Sequence, residues 1–228
     1  MFVFIRIVAP RYLNRGVFIM SEFEFSRDVT PARAIEAVRS EGACAIRKFL
    51  LPEALAAAAA DLARARMSTD DTTEEGQVHR RHDLVRYDFS VRHHFPINLH
   101  HDSSEAPVSV YDTAHEVAGF VRQGDPSWQP NEVMGHRYNT GDYINKHRDY
   151  ASALGYVAVL TLEGSQEFYF QRDSEQMARV RMEPGTLTLL RGAALTGRGK
   201  RRPYHGVERA KGQRLALSLR HMRSMAWD

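Results

Sequence analysis

From Glu132 to near the C-terminus, apolar and polar residues alternate with a period of two, which is the mark of half-buried strands. The alternation predicts strands at about 133–138, 143–148, 155–162, 166–171, 178–182, 186–190, 203–208 and 213–221. Turn signals separate them: Asn139-Thr140-Gly141, Glu163-Gly164-Ser165, Pro184-Gly185, Gly197 to Gly199 and Lys211-Gly212. The chain before Glu132 reads differently. Thr30-Pro31 ahead of ARAIEAVRS predicts a helix with Thr at its N-cap and Pro in its first turn, ended at Gly42. A short strand follows over 43–49, then an Ala-rich helix opened by Pro52 and running to about Met67. The polar, acidic stretch STDDTTEEGQ (68–77) is expected to be a mobile loop, and 107–122 a helix that stops before Gly124-Asp125-Pro126. Helices first and about eight short strands afterwards predict an α+β chain whose β half is a sandwich or barrel.

Composition narrows the class. With 228 residues, 43% of them hydrophobic and 26% charged, the chain is an ordinary globular one, long enough for a single sizeable core. Its one cysteine, Cys44, excludes an internal disulfide and any zinc site that needs two cysteines of this chain. No apolar run reaches the roughly 18 residues of a transmembrane helix, so a cytoplasmic protein without a membrane partner is expected. The net charge of +3 and the isoelectric point near 9.1 invite a nucleic-acid partner. However, residues 1–19 carry Arg6, Arg11 and Arg15 and no acid, which accounts for the whole excess. Met20 opens MSEFEFSRD like a natural start. Residues 1–19 are therefore expected to be an extension, disordered or not native, and 20–228 a single, nearly neutral domain.

The chemistry lies in the β half. His147 and Asp149 are two residues apart in a predicted strand, so both side chains share a face. His205 lies on a later strand, in Pro203-Tyr204-His205-Gly206. Two histidines and a carboxylate form the facial triad of non-haem Fe(II) oxygenases, which leaves coordination positions open. The last strand alternates strictly: Arg214, Ala216, Ser218 and Arg220 share one face, and Leu215, Leu217 and Leu219 the other. Two guanidiniums separated by small side chains suit an anionic ligand lying along the strand, since Arg grips carboxylates through paired, charge-assisted hydrogen bonds. Tyr138, nine residues before His147, is within reach of the same carboxylate. A competing His-x-Asp occurs at His100-His101-Asp102. The His- and Arg-rich segment 79–101 reads equally well as a substrate lid and as a solvated loop whose arginines pair with nearby acids.

Taken together, Tyr138, His147-Arg148-Asp149, the run VAVLTLEGSQEFYF, the Gly-containing RGAALTGRGKRRPYHGV and the pair Arg214/Arg220 resemble the Fe(II)/2-oxoglutarate-dependent dioxygenases, and within them most resemble the AlkB-like group. The matching run is about 133–223, and GACAIRKFLLPEAL resembles the superfamily's strand-then-helix opening. The resemblance implies a double-stranded β-helix (jelly-roll) core with N-terminal helices packed on one sheet. It implies His147, Asp149 and His205 as both catalytic centre and Fe(II) ligands, with Arg214 and Tyr138 on the distal carboxylate of 2-oxoglutarate and Arg220 near its C1 carboxylate. The implied cosubstrates are 2-oxoglutarate and O2, the implied chemistry oxidation through a ferryl species with release of succinate and CO2. Three positions depart from the AlkB-like pattern: Ala151 stands where an acid helps read the base, Ala216 where Asn is common, and His136 where Asn is frequent. These departures favour a small-molecule substrate for a hydroxylase. Oxidative demethylation of alkylated nucleic acid is the alternative, and a non-catalytic metal-binding jelly roll the second alternative.

Overall fold

The computed structural model describes residues 23–72, 80–88, 104–195 and 201–223. The expected extension 1–19 and the competing His100-His101-Asp102 lie outside the described residues, as does all of 89–103. In chain order the elements are β1 (Glu24–Phe25), α1 (Pro31–Glu41), β2 (Ala43–Ile46), α2 (Pro52–Arg64), β3 (Ser68–Thr72), β4 (Arg80–Asp88), β5 (Ser104–Glu105), α3 (Val108–Gly124) and β6 (Glu132–Tyr138). There follow β7 (Tyr143–His147), β8 (Ala153–Glu163), β9 (Gln166–Gln171), β10 (Met177–Met182), β11 (Leu187–Arg191), a 3-10 turn (Ala193–Leu195), β12 (His205–Val207) and β13 (Arg214–Met222).

Local chemistry sets the helix ends. The Thr30 hydroxyl accepts from the Arg33 N–H, Pro31 occupies the first turn, and Gly42 closes α1 in the left-handed region with its N–H on the Val38 carbonyl. Helix α1 buries Ala34, Ile35, Ala37 and Val38; α2 buries Leu55, Ala58, Ala59 and Leu62; α3 buries Val110, Tyr111, Ala114, Val117, Ala118 and Val121. These are stripes at helical spacing, and each helix lays its stripe on the sheet or on a neighbouring helix. Leu62 sits over Gly135 so closely that a Cβ there would meet its Cδ1 at 2.2 Å, so the glycine lets α2 settle onto β6.

The strands follow the order β1-β2-β11-β8-β13-β6-β4-β7-β12-β9-β10, with β3 and β5 both on β4. Antiparallel neighbours that are far apart in sequence, β13 between β8 and β6 and β12 between β7 and β9, give the double-stranded β-helix expected. The sheet curls so that its two halves wall one interior cavity. Val157, Val159, Thr188, Leu190, Ala216 and Ser218 come from one half, and Ile144, Phe168, Met182, His205 and Val207 from the other. Leu215, Leu217 and Leu219 point the opposite way, into the core shared with the helices, as the alternation of β13 requires. Truncating any one of them to Ala costs about 2–5 kcal/mol.

Two expectations are corrected. Residues 68–72 are not part of a mobile loop but the strand β3, paired antiparallel with β4 from Ser68↔Leu84 to Thr72↔Arg80. Backbone pairing supplies what the polar side chains of STDDT cannot advertise. Residues 80–88 of the His/Arg-rich segment are neither lid nor solvated loop. They form β4, which pairs with β6 over Asp83–Tyr87 and with β7 through Arg80 and Arg81, and so joins the two halves of the curled sheet.

Candidate metal centre and cosubstrate cavity

Strands β7 and β12 lie side by side with His147 directly opposite His205, so residues 58 positions apart in sequence become cross-strand neighbours. Their rings are 4.3 Å apart between centroids. The register shifts between His205 and Val207, which face His147 and Ile144, so that Gly206 alone opposes both Asn145 and Lys146. This bulge turns both Ile144 and His147 toward the cavity, which regular alternation would forbid. Strand β7 ends at His147, and Asp149 lies just beyond it, still directed at the histidines. Gly206 is required beside His205, because a Cβ there would lie 2.3 Å from the Tyr169 hydroxyl and 2.8 Å from the Ile144 carbonyl.

One ligand atom from each of His147, Asp149 and His205 lies within 4.8 Å of the others. The Nδ1–H of His147 donates to the Asn145 carbonyl at 2.8 Å, and that of His205 to the Pro203 carbonyl at 3.2 Å. Both imidazoles are thereby oriented with Nε2 as the free electron pair, the arrangement that backbone carbonyls impose on metal-binding histidines. His205 Nε2 is 3.4 Å from the Asp149 carboxylate. Burial, reinforced by the neighbouring His205, pushes the pKa of His147 down to about 4, so it is a neutral donor at neutral pH. Burial by itself would raise Asp149, but His205, Arg220, His147 and Arg202 outweigh it and hold the carboxyl below its ordinary range. Two imidazoles and one carboxylate suit a divalent transition ion, and the donor set fits Fe(II).

Arg220 sits at the mouth of the cavity. Its guanidinium bonds Glu132 at 3.0 Å and lies 3.7 Å from Asp149, and these two acids, against the opposing effect of burial, raise its pKa. Arg214 occupies the closed part and is 1% exposed. It bonds the Thr161 hydroxyl at 3.0 Å and stands 5.2 Å from the Tyr138 ring centre, and no carboxylate pairs with it among the described residues. Burial lowers its pKa. Burial raises that of Tyr138, with Arg214 and Arg220 opposing, so the phenol keeps its proton. A buried guanidinium without an acid is costly unless an anion joins it. The interior cavity, about 70 Å³, is lined by His136, Tyr138, Arg214, Ala216, Ser218, Arg220 and the His147–Asp149–His205 cluster. All six residues singled out in the sequence thus face one space.

Three participants escaped the sequence reading, and a fourth, His136, entered it only as a departure from the AlkB-like pattern. Thr161 supplies the neutral partner of Arg214, and Glu132 anchors Arg220. His82 and His136 form a buried chain, His82 Nε2 to His136 Nδ1 at 3.1 Å and His136 Nε2 to Ser218 Oγ at 2.7 Å, with His82 stacked on Tyr138 at 4.9 Å. The signal for His82 was present as the alternation Arg80, His82, Leu84, Arg86. All four line a second cavity of about 300 Å³, which shares His136, Ile144, His147, Asp149 and Arg220 with the first.

No protein-family profile and no curated protein matches the chain. Solved structures do match in fold. A prolyl-4-hydroxylase from Pseudomonas putida superimposes with a TM-score of 0.61 at 17% identity, covering 85% of this chain and 99% of that one. An oxidoreductase of the 2OG-Fe(II) oxygenase family from Burkholderia pseudomallei gives 0.60 at 16%, covering 90% and 97%. The non-haem α-ketoglutarate-dependent epimerase SnoN of nogalamycin biosynthesis gives 0.62 at 13%, covering 84% and 82%. The chain therefore has the double-stranded β-helix fold of the Fe(II)- and 2-oxoglutarate-dependent oxygenases. Among the described residues no helix is long and apolar enough to cross a membrane.

Proposed function

We propose that the protein is an Fe(II)- and 2-oxoglutarate-dependent dioxygenase that hydroxylates a small molecule. The observation that carries this reading is the convergence of His147, Asp149 and His205 at the junction of two cavities, one of which encloses the unpaired Arg214. In this reading His147, Asp149 and His205 hold Fe(II). Arg214 grips the distal carboxylate of 2-oxoglutarate, with the Tyr138 hydroxyl as a second donor and Thr161 fixing the guanidinium. Arg220, tied to Glu132, directs its remaining N–H groups toward the end of the cosubstrate nearest the metal and steadies Asp149. Bound Fe(II) with 2-oxoglutarate supplies O2 activation coupled to oxidative decarboxylation of the oxoacid to succinate and CO2. The apolar walls Val157, Val159, Phe168, Leu190 and Val207 keep bulk water from the interior cavity. The second cavity, on the other side of the triad, receives the substrate.

Reading residues 20–228 as one catalytic domain accords with this arrangement, since α1 to α3 pack directly on the sheet that carries Arg214 and Arg220. The AlkB-like assignment rests on the spacing of Tyr138 to His147 and on the Arg214/Arg220 pair. One feature favours the corresponding second reading, oxidative demethylation of nucleic acid. An open cavity of about 470 Å³ is lined by Arg148, Arg172, Arg201, Arg202 and Tyr204, an excess of base over its two acids, Asp173 and Glu175. Phosphate contacts weaken steeply with salt, so strongly salt-dependent binding of methylated oligonucleotides would favour that reading.

The test is an anaerobic titration of metal-free protein with Fe(II) and then 2-oxoglutarate, followed by visible absorption. A weak metal-to-ligand charge-transfer band on adding 2-oxoglutarate is expected. Bound Fe(II) with no such band would eliminate the dioxygenase and leave a metal-binding jelly roll.

A further inference from the structure

Asp149 sits where the sheet no longer holds the backbone. Strand β7 ends at His147, the last residue it pairs with β12, and Asp149 lies beyond that pairing. Its carboxylate meets His205 at 3.4 Å and Arg220 at 3.7 Å. The main chain that carries the carboxylate needs an anchor of its own, and the segment ahead of His205 supplies one. Nη1–H of the part-buried Arg202 donates to the Asp149 carbonyl. Two residues on, the Tyr204 ring receives the Arg148 guanidinium at 3.8 Å and the Lys146 ammonium at 4.8 Å. The segment 201–205 is itself fixed to the core. Arg191, 2% exposed, donates from Nη2 to the Arg201 carbonyl at 2.6 Å, and from Nη1 to the Arg39 carbonyl and to Asp173 at 2.9 Å each. The Tyr204 carbonyl accepts from the Gln171 N–H at 2.7 Å, and the Pro203 carbonyl from His205 at 3.2 Å.

We infer that Arg202 is a positioning residue of the metal centre, acting through the Asp149 backbone to hold the carboxylate where His147 and His205 converge. This rests on the dioxygenase reading, because it takes Asp149 as a metal ligand. The carbonyl that Arg202 grips and the carboxylate belong to one residue, so turning that peptide swings the ligand. Partners that orient a ligand in this way govern metal affinity although they never touch the ion. The sign of the charge separates the role from a purely electrostatic one. A guanidinium beside the cluster repels a divalent cation, so its removal with the geometry unchanged would tighten metal binding. If Arg202 aims Asp149, its removal weakens metal binding instead. Arg202 and His205 also share one short segment, with Pro203 between them restricting the backbone. A single stretch of chain therefore contributes one ligand and orients another.

The test compares the wild-type protein with Arg202→Met, Arg202→Lys, Arg179→Met and Asp149→Ala. Arg179→Met removes one positive charge from the outer strand β10, at a residue paired with Glu208, and controls for net charge. Fe(II) affinity is measured anaerobically by competition with a chromogenic chelator. The ligand field is read from the d–d absorption of the Co(II)-loaded protein. Arg202→Met should weaken Fe(II) binding about ten- to a hundredfold and shift the Co(II) bands. Arg202→Lys keeps a cationic donor and should recover part of both, while Arg179→Met should match the wild type. Unchanged or tighter Fe(II) binding in Arg202→Met would overturn the inference. So would weaker binding with an unshifted Co(II) spectrum, no recovery in Arg202→Lys, or an equal loss in Arg179→Met. If Arg202→Met does not fold, Arg202→Lys decides: weaker binding with shifted bands supports the inference, and wild-type values overturn it. Asp149→Ala tells the two failures apart. If it loses Fe(II) while Arg202→Met does not, this inference alone falls. If it keeps wild-type affinity, Asp149 is no ligand and the reading of the metal centre falls with it.

Discussion

Arg214 stands directly opposite Tyr138 in the β6–β13 ladder, and its guanidinium carbon lies 5.2 Å from the centre of the phenol ring. The pair places a permanent cation, an aromatic face and a protonated hydroxyl at the closed end of the interior cavity. Replacing Arg214 by Met should weaken 2-oxoglutarate binding by about 2–5 kcal/mol, or from some thirty-fold to a few thousand-fold. Fe(II) binding should persist. Because an unpaired buried charge is removed, the ligand-free melting temperature should stay level or rise. Titration of the charge-transfer band and a thermal melt check both parts, and unchanged 2-oxoglutarate affinity would contradict the assignment.

The metal cluster makes a sharper demand. In the proposed reading, His147→Ala and His205→Ala each remove one of three ligands and should abolish both tight Fe(II) binding and succinate formation. Asp149→Ala should do the same, and also deprive Arg220 of one of its two acids. Iron content after gel filtration and succinate release provide the measurement. Full activity in His147→Ala would move the centre elsewhere, with His100 and Asp102 the next pair to test.

Acid should weaken the fold through the imidazoles beneath Tyr138. His82 has its pKa lowered to about 4, chiefly by burial, with Arg80 and Arg220 lowering it further and Asp70 and Asp83 opposing. His136 is shifted the same way by burial and by His82, Arg220, Arg214 and Arg80. The unfolded chain binds these protons near pH 6.5. Below that the unfolded state is the more protonated one, so stability present above pH 6.5 is lost as pH falls toward 4. The loss from pH 7 to pH 5 should be on the order of 2 kcal/mol for His82, with His136 acting in the same direction. Urea unfolding at the two pH values tests this, and His82→Phe should show a shallower dependence than the wild type.

Gly164 links the turn after β8 to Arg214. It lies at a φ of +72°, and a Cβ there would come within 2.0 Å of the Gln213 carbonyl and 2.9 Å of the Arg214 Cα. Gly164→Ala is expected to destabilise the protein by about 1–3 kcal/mol and to raise the 2-oxoglutarate KM by displacing Arg214. A substitution that lowers the melting temperature but leaves KM untouched would show that the turn and the arginine are independent.

The β half was legible because one face of each strand is apolar. Strand β13 is the clearest case, with its leucines in the core and Arg214, Ala216, Ser218 and Arg220 in the cavity. His147 and His205 were identifiable from their local neighbours, but their pairing across two strands comes from register, which alternation does not specify. Strand β4 was obscured for a physical reason. Over its first half Arg80 and His82 face the second cavity and Arg81 and Asp83 the other side, so polar residues alternate with polar residues there and the period loses its contrast. Strand β3 was misread for the same cause: its stability comes from pairing with β4 rather than from an apolar face of its own. The Glu132–Arg220 contact, directly across the β6–β13 ladder, was equally out of reach without that register.

Strand β4 contributes four side chains to the second cavity yet carries none of the three metal-cluster residues, nor Tyr138 or Arg214. In the proposed reading, the reaction and the choice of molecule are thus encoded on separate segments of backbone. Point changes at residues 80, 82, 84 and 86 can redraw the cavity while the strands that carry His147 and His205 keep their sequence. Inserting a single residue near the start of β4 would do something more drastic. It would rotate Arg81, Asp83, Val85 and Tyr87 inward and exchange a cationic lining for a mixed one in a single step. Divergence among descendants of this chain is therefore free to run along one strand, with the oxidative chemistry inherited intact.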